Sequence, residues 1–270
     1  MESLRIASRT TLIAIFCLGL PGLRSDVAAN EQSPCSVRTV AASNNFTLAI
    51  DADGNPWAWG MNNDGALGIG VSWSSLSPTP VATIHDVVAV SAGRFHSLAV
   101  TADGRAWAWG SNHYGQLGDG TFTNSNSPRV VDGLSNVVLV VAGNDQSLAL
   151  DQSGTIWAWG NNDQGVLGTG LVDPALSTPK PVQGAGGIGL LSDVIDIAAG
   201  PDAHFQAVRR DGSVWGWGQN SDGQLGIGTP NARICAAPSA GTGSWAGRKR
   251  LLGACGFHRY RYRILNSAPG

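Results

Sequence analysis

The chain has 270 residues, 43% hydrophobic and 13% charged, with 37 Gly, 10 Trp and a formal net charge of −2. That hydrophobic share excludes a disordered protein. Scarce Lys and Glu, set against abundant Gly and Trp, favour turns and aromatic-bearing strands over helices.

The N-terminus reads as a cleavable signal over residues 1–29. Arg5 and Arg9 precede the apolar run "TLIAIFCLGL", and Val27 to Ala29 offer small residues for cleavage. The apolar run is interrupted by Pro21 and Gly22 and falls short of the ~20 residues a membrane span needs. Export to a periplasmic or extracellular compartment is expected, with no membrane span after cleavage. Large Ile15 and Phe16 argue against lipid attachment at Cys17. Cys35, Cys235 and Cys255 would then remain, an odd number without a close pair, so neither a disulfide framework nor a zinc knuckle is indicated.

Residues 30–230 are repetitive. Trp57, Trp107, Trp157 and Trp215 recur at intervals of 50, 50 and 58 residues, and W-G-x-N-x-x-G-x-L-G-x-G holds in all four copies. A period of this length marks a repeat architecture with units near 37–86, 87–136, 137–193 and 194–230. In the second unit "VVAVSAG" at 87, "HSLAVTADGRAWAW" at 96 and "SPRVV" at 127 predict strands, with a hairpin turn at Asp103-Gly104. Alternation along a strand puts Trp107 and Trp109 on one face, with Ala106, Ala108 and Gly110 on the other. The broad face of one sheet is expected to lie on the small face of the next, with both tryptophans between sheets.

Radially stacked four-stranded sheets make an all-β propeller. The stretch "SAGRFHSLAVTADGRAWAWGSNHYGQLGDG" resembles the repeat of the regulator of chromosome condensation family, over about residues 37–230. The resemblance implies a seven-bladed ring closed by strands from both chain ends. Four units of this length fall short of seven, so an incomplete ring is expected. The fourth unit breaks off after "GQLGIGT" without the Ser-Pro-x-x-Val strand of units one and two. Residues 231–270 carry 7 basic and no acidic side chains, against 17 acidic and 7 basic in 30–230. The tail reads as an out-of-frame or disordered segment, or else as a true basic extension for an anionic partner.

No catalytic, cofactor or metal site is read from the residues. Five histidines are scattered, and only His96 and His204 hold equivalent repeat positions, taken by Phe46 and Gln146 in the other units. "DADGN" at 51 has its glycine at the fourth position, where a calcium loop has it at the sixth, and no glutamate at the twelfth, so it reads as a turn. "GAGGIG" at 184 precedes a strand rather than a helix and reads as an inserted loop. The acidic body repels phosphates, so no nucleic acid is expected there.

What varies inside this scaffold is the loop after "SAG": Asn44-Asn45, Arg94-Phe95, Asn144-Asp145 and Pro201-Asp202-Ala203. Arg94, Phe95, Asn144, Asp145, Pro201 and Asp202 are therefore the candidate protein-binding residues. The reading is a secreted, non-enzymatic scaffold with a protein partner and a capacity to self-associate. Resemblance adds a regulator as alternative, since family members include nucleotide exchange factors for small GTPases and similar repeats occur in a secreted β-lactamase inhibitor. A carbohydrate-active enzyme on a propeller ranks below both.

Overall fold

A computed structural model describes residues 37–231 and 233–239. The signal segment and the tail beyond 239 lie outside these residues. The first sheet runs through β1 (Val37–Ala42), β2 (Phe46–Asp51), β3 (Pro56–Gly60) and β4 (Ser75–Pro80). The second comprises β5 (Val87–Ala92), β6 (His96–Thr101), β7 (Ala106–Gly110) and β8 (Ser125–Val130). The third comprises β9 (Val137–Ala142), β10 (Gln146–Asp151), β11 (Ile156–Asn161) and β12 (Ala175–Pro181), and the fourth β13 (Val194–Ala199), β14 (His204–Arg209), β15 (Val214–Gly218) and β16 (Arg233–Pro238). Each is an antiparallel meander with strands paired in chain order.

The hairpins form for local reasons. In the first, the Asp51 carboxylate accepts hydrogen bonds from the Asp53 and Asn55 amides at 3.0 and 2.8 Å and from Trp57 Nε1 at 3.0 Å. "DADGN" is thus a turn whose acid is occupied by its own backbone. The "GAGGIG" segment is a loop with one three-residue 3-10 turn, Ala185–Gly187.

The sheets pack as successive blades. First strands touch one another along the series β1, β5, β9 and β13, which places them nearest the axis, and the outer strands splay apart. Middle blades are covered on both sides, so β6 is buried at every position. Along it, Ser97 and Ala99 face the first blade, and His96, Leu98 and Val100 face the third. Four blades make an open arc, since among the described residues no comparable packing joins the fourth blade to the first.

The paired tryptophans share a face as expected but have separate tasks. Trp109 is fully buried in one cluster with Ala58, Leu48 and Leu67 of the first blade, and its Nε1 donates to Ala66 O at 2.8 Å. Trp159 does the same toward Gln116 O at 2.9 Å. Trp107 is only half-buried and bonds within its own hairpin, to Thr101 Oγ1 at 3.1 Å. In the second, third and fourth blades one ring of the pair therefore seals the joint with the preceding blade, and in all four the other pins the turn.

One expectation is corrected. The tail does supply the fourth unit with an outer strand, because β16 pairs with β15 through Trp215↔Pro238 and Gly216↔Ala237. An edge strand is recruited by main-chain hydrogen bonds, which do not require the Ser-Pro-x-x-Val pattern. Ala236 is buried and its N–H reaches Gln183 O of the third blade at 3.3 Å.

Candidate functional site

Antiparallel meanders put the loop after the first strand and the loop after the third strand at the same end of each blade. Backbone hydrogen bonds tie them together: Met61 N to Asn45 O at 2.8 Å, Ser111 N to Phe95 O at 2.9 Å, Asn161 N to Asp145 O at 2.8 Å and Gln219 N to Ala203 O at 3.1 Å. This rim is the candidate surface. The Asp-Gly hairpin turns lie on the other.

Of the residues singled out from sequence, the structure brings three together. Arg94 is exposed, its guanidinium carbon is 4.9 Å from the Phe95 ring centre, and its amide donates to Gly143 O of the next blade at 3.3 Å. Burial raises the Asp145 carboxyl above its ordinary range, against the pull of Arg94 and His113. Asn144 is half-buried beside it. Pro201 and Asp202 are exposed on the fourth blade, where burial lowers the pKa of the His204 ring and Asp202 opposes that shift. A shallow groove between the first two blades is lined by Asn45, Phe46, Met61, Ala66, Arg94 and Phe95.

A second set of rim residues escaped the sequence reading. The asparagine of W-G-x-N is fully buried in all four blades, as Asn62, Asn112, Asn162 and Asn220. Asn112 Oδ1 accepts from Leu117 N at 2.9 Å, and its Nδ2 donates to Thr121 O and Thr123 O at 3.1 and 3.2 Å. Asn162 repeats this with Leu167 N, Leu171 O and Asp173 O. Each asparagine brackets the loop after the third strand and holds its tip outward. Those tips carry Trp73, Phe122 and Val172, exposed by 71%, 53% and 70%. The invariance of the asparagine across repeats, beside tips that vary, was the signal available. Asn112→Ala is expected to cost about 2–3 kcal/mol, because the buried Leu117 N–H loses its acceptor. Chemical denaturation would measure it, and a loss below about 0.5 kcal/mol would mean the loop holds itself.

A serine–histidine pair also occurs, but away from the rim. His96 Nε2 lies 3.0 Å from Ser147 Oγ, which donates to Gln116 O at 2.7 Å. Both side chains are fully buried between the second and third blades, so the pair meets no substrate and instead joins blades.

Comparison with known proteins agrees with this geometry. No curated protein matches the sequence. The structure resembles human WBSCR16, with a TM-score of 0.67 and 27% identity, covering 75% of this chain and 52% of that one. It resembles yeast RCC1 (Prp20) from a complex with Kap60, with a TM-score of 0.66 and 23% identity over 78% of this chain and 50% of that one. A separate structure of Prp20p from Saccharomyces cerevisiae gives 0.66 and 24%, over 78% and 52%. The chain spans about half the length of each of these proteins. The model of the RCC1-like domain matches residues 17–258, and the chain belongs to that family.

Proposed function

We propose that this chain is an exported, non-enzymatic scaffold that binds a protein partner on the rim carrying Arg94, Phe95, Trp73, Phe122 and Val172. The observation that supports this most is the exposure of three large apolar tips on loops bracketed by buried asparagines. Anchors held in place lose little conformational freedom on docking, and exposed aromatic side chains are the usual centres of binding energy. Arg94 over Phe95 adds a cationic, aromatic contact beside them. Regulation of a partner is the alternative form of the same reading, supported by the likeness to Prp20p, whose structure was described together with its binding properties toward Gsp1p and histones.

The test is site-specific photo-crosslinking in the producing cell. A photoreactive residue at Trp73 or Phe122 should capture a polypeptide, whereas the same residue at Asp103 on the opposite rim should not. Equal capture from both rims, or none from either, would refute the rim assignment. Export is tested on the same material, since the mature chain should begin near residue 30 and retention of residues 1–29 would refute it.

A further inference from the structure

We propose that the rim cleft between the first and second blades is a subsite for one uncharged sugar residue, a role that goes beyond the protein contact and does not depend on it. The cleft has a volume of about 290 Å³ and is lined by Asn63, Asp64, Ser72, Asn124, Asn126 and Arg129 around the buried Ser125. That is near the lower end of the range for small-molecule pockets, about 300–1,000 Å³, and suits a single ring. Such pockets are mostly apolar, whereas every side chain here is polar. The lining therefore selects a ligand that carries hydroxyls on all its edges. Asn63 and Asp64 also line the shallow groove that holds Arg94 and Phe95.

The polar groups are fixed in place by the fold. Asn124 Oδ1 accepts from Asn112 N at 2.7 Å and its Nδ2 donates to Asp64 Oδ1 at 3.1 Å, so this carboxylate is held across the blade joint with Oδ2 to spare. Arg129 donates from Nε to Ser125 Oγ and from Nη1 to Asp119 Oδ2, each at 3.0 Å, which leaves Nη2 for a ligand. Asn126 Nδ2 donates to Gly70 O at 2.9 Å. Ser72 lies between Val71 and Trp73, whose carbonyls both accept from the buried Asn62 amide, at 2.7 and 3.1 Å. Asn63 and Ser72 are exposed, and among the described residues their side chains bond to nothing in the fold.

Charge decides the ligand class. Asp119 neutralises Arg129, and Asp64 then leaves the cleft negative, which repels sulfated, phosphorylated or carboxylated ligands. One carboxylate is too little for a hard dication such as calcium, which takes about six to eight oxygen ligands. An uncharged polyol fits both limits. Its hydroxyls donate to Asp64 Oδ2 and accept from Arg129 Nη2, bonds strengthened by charge, and do both with Asn63 and Ser72. Trp73 follows Ser72 in the chain and is largely exposed, an apolar surface of the kind that the C–H face of a pyranose covers. The blade joint itself does not need this lining. Between the second and third blades, Tyr114 stands in the place of Asp64, and strand register puts Leu176 in that of Ser125 and Lys180 in that of Arg129. The backbones still meet in the same way, Gly65 against Asn126 and Gly115 against Ser177. A polar lining confined to one of two like joints points to a ligand rather than to packing.

The experiment is an array of gluco-, manno-, galacto- and chito-oligosaccharides, with uronate-containing and sulfated glycans beside them, probed with the purified full chain. Titration calorimetry with the free neutral oligosaccharide that binds then gives its affinity. Neutral glycans should bind and anionic ones should not. Asp64→Asn keeps an acceptor for Asn124 but removes the charge, and should weaken binding at least about 10-fold, while Asn63→Ala should weaken it about 3- to 10-fold. Circular dichroism of both variants should match the wild type. Tyr114→Ala, at the matching place of the next joint, should leave the affinity unchanged. Failure of every neutral glycan to bind, a preference for anionic ones, or an affinity that survives both substitutions would overturn the proposal. So would loss of polypeptide capture at Phe122 in Asp64→Asn without any sugar bound, which would assign the cleft to the protein contact. That contact is judged separately, because Phe122 does not line the cleft.

Discussion

Replacing Trp109 by alanine is expected to destabilise the protein by about 3–5 kcal/mol, the range for removing a large buried ring and leaving a cavity. Relaxation cannot fill that cavity cheaply, because the ring sits between two sheets whose separation is set along their whole length. The substitution also leaves Ala66 O with Ser97 as its remaining donor of the two. Trp107→Ala makes the informative contrast. Trp107 is half-buried and its bond is to its own hairpin, so a loss of about 1–2 kcal/mol is expected. Urea denaturation of both variants checks the difference. Equal losses would mean that the two rings of each pair share the joint after all.

Acid should loosen the joint between the second and third blades. Burial pushes the pKa of His96 down to about 4 from the ordinary 6.5. The hydroxyl of Ser147 donates to Gln116 O, so His96 Nε2 must be the donor toward Ser147 Oγ, and burial favours the neutral ring that carries its proton there. Below pH 6.5 the unfolded chain takes up a proton at this residue, while the folded chain does so only near pH 4. Stability is therefore fully present above 6.5, falls through that window by about 3 kcal/mol, and is flat with respect to this residue below it. His96→Gln, which copies the residue at the equivalent position Gln146, should remove most of this slope. A variant that keeps the full slope would place the acid sensitivity elsewhere, and His204→Gln would then be examined, since its ring is also shifted down by burial.

Much of the architecture was legible before any coordinates. The period of the tryptophans set the number of blades, the Asp-Gly pairs located hairpins, and alternation put Trp107 and Trp109 on one face. These are local or periodic properties, and a repeat prints each of them several times. The candidate surface was legible only in part. Arg94 and Phe95 were found because loops that vary inside a constant frame stand out, but Trp73, Phe122 and Val172 were missed. An apolar residue in sequence does not say whether it is buried, and these three are outward only because Asn62, Asn112 and Asn162 hold their loops open.

The sequence by itself determined the fold class, the repeat frame and the pairing of a wide face with a narrow one. Tertiary structure alone decided which ring of each pair seals a joint, since that depends on where the preceding blade's loop carbonyl lies, about 43 residues away in the chain. It also decided that Arg233–Pro238 completes the fourth blade, because the ladder offered by β15 recruits a strand through backbone groups that every residue carries. The same holds for the ends of the arc. Gly118 and Gly226 occupy one position of one motif, yet a tryptophan of the next blade fills the first site and, among the described residues, no ring fills the second. Identical local sequence cannot encode that difference, because it lies in what stands next to each blade.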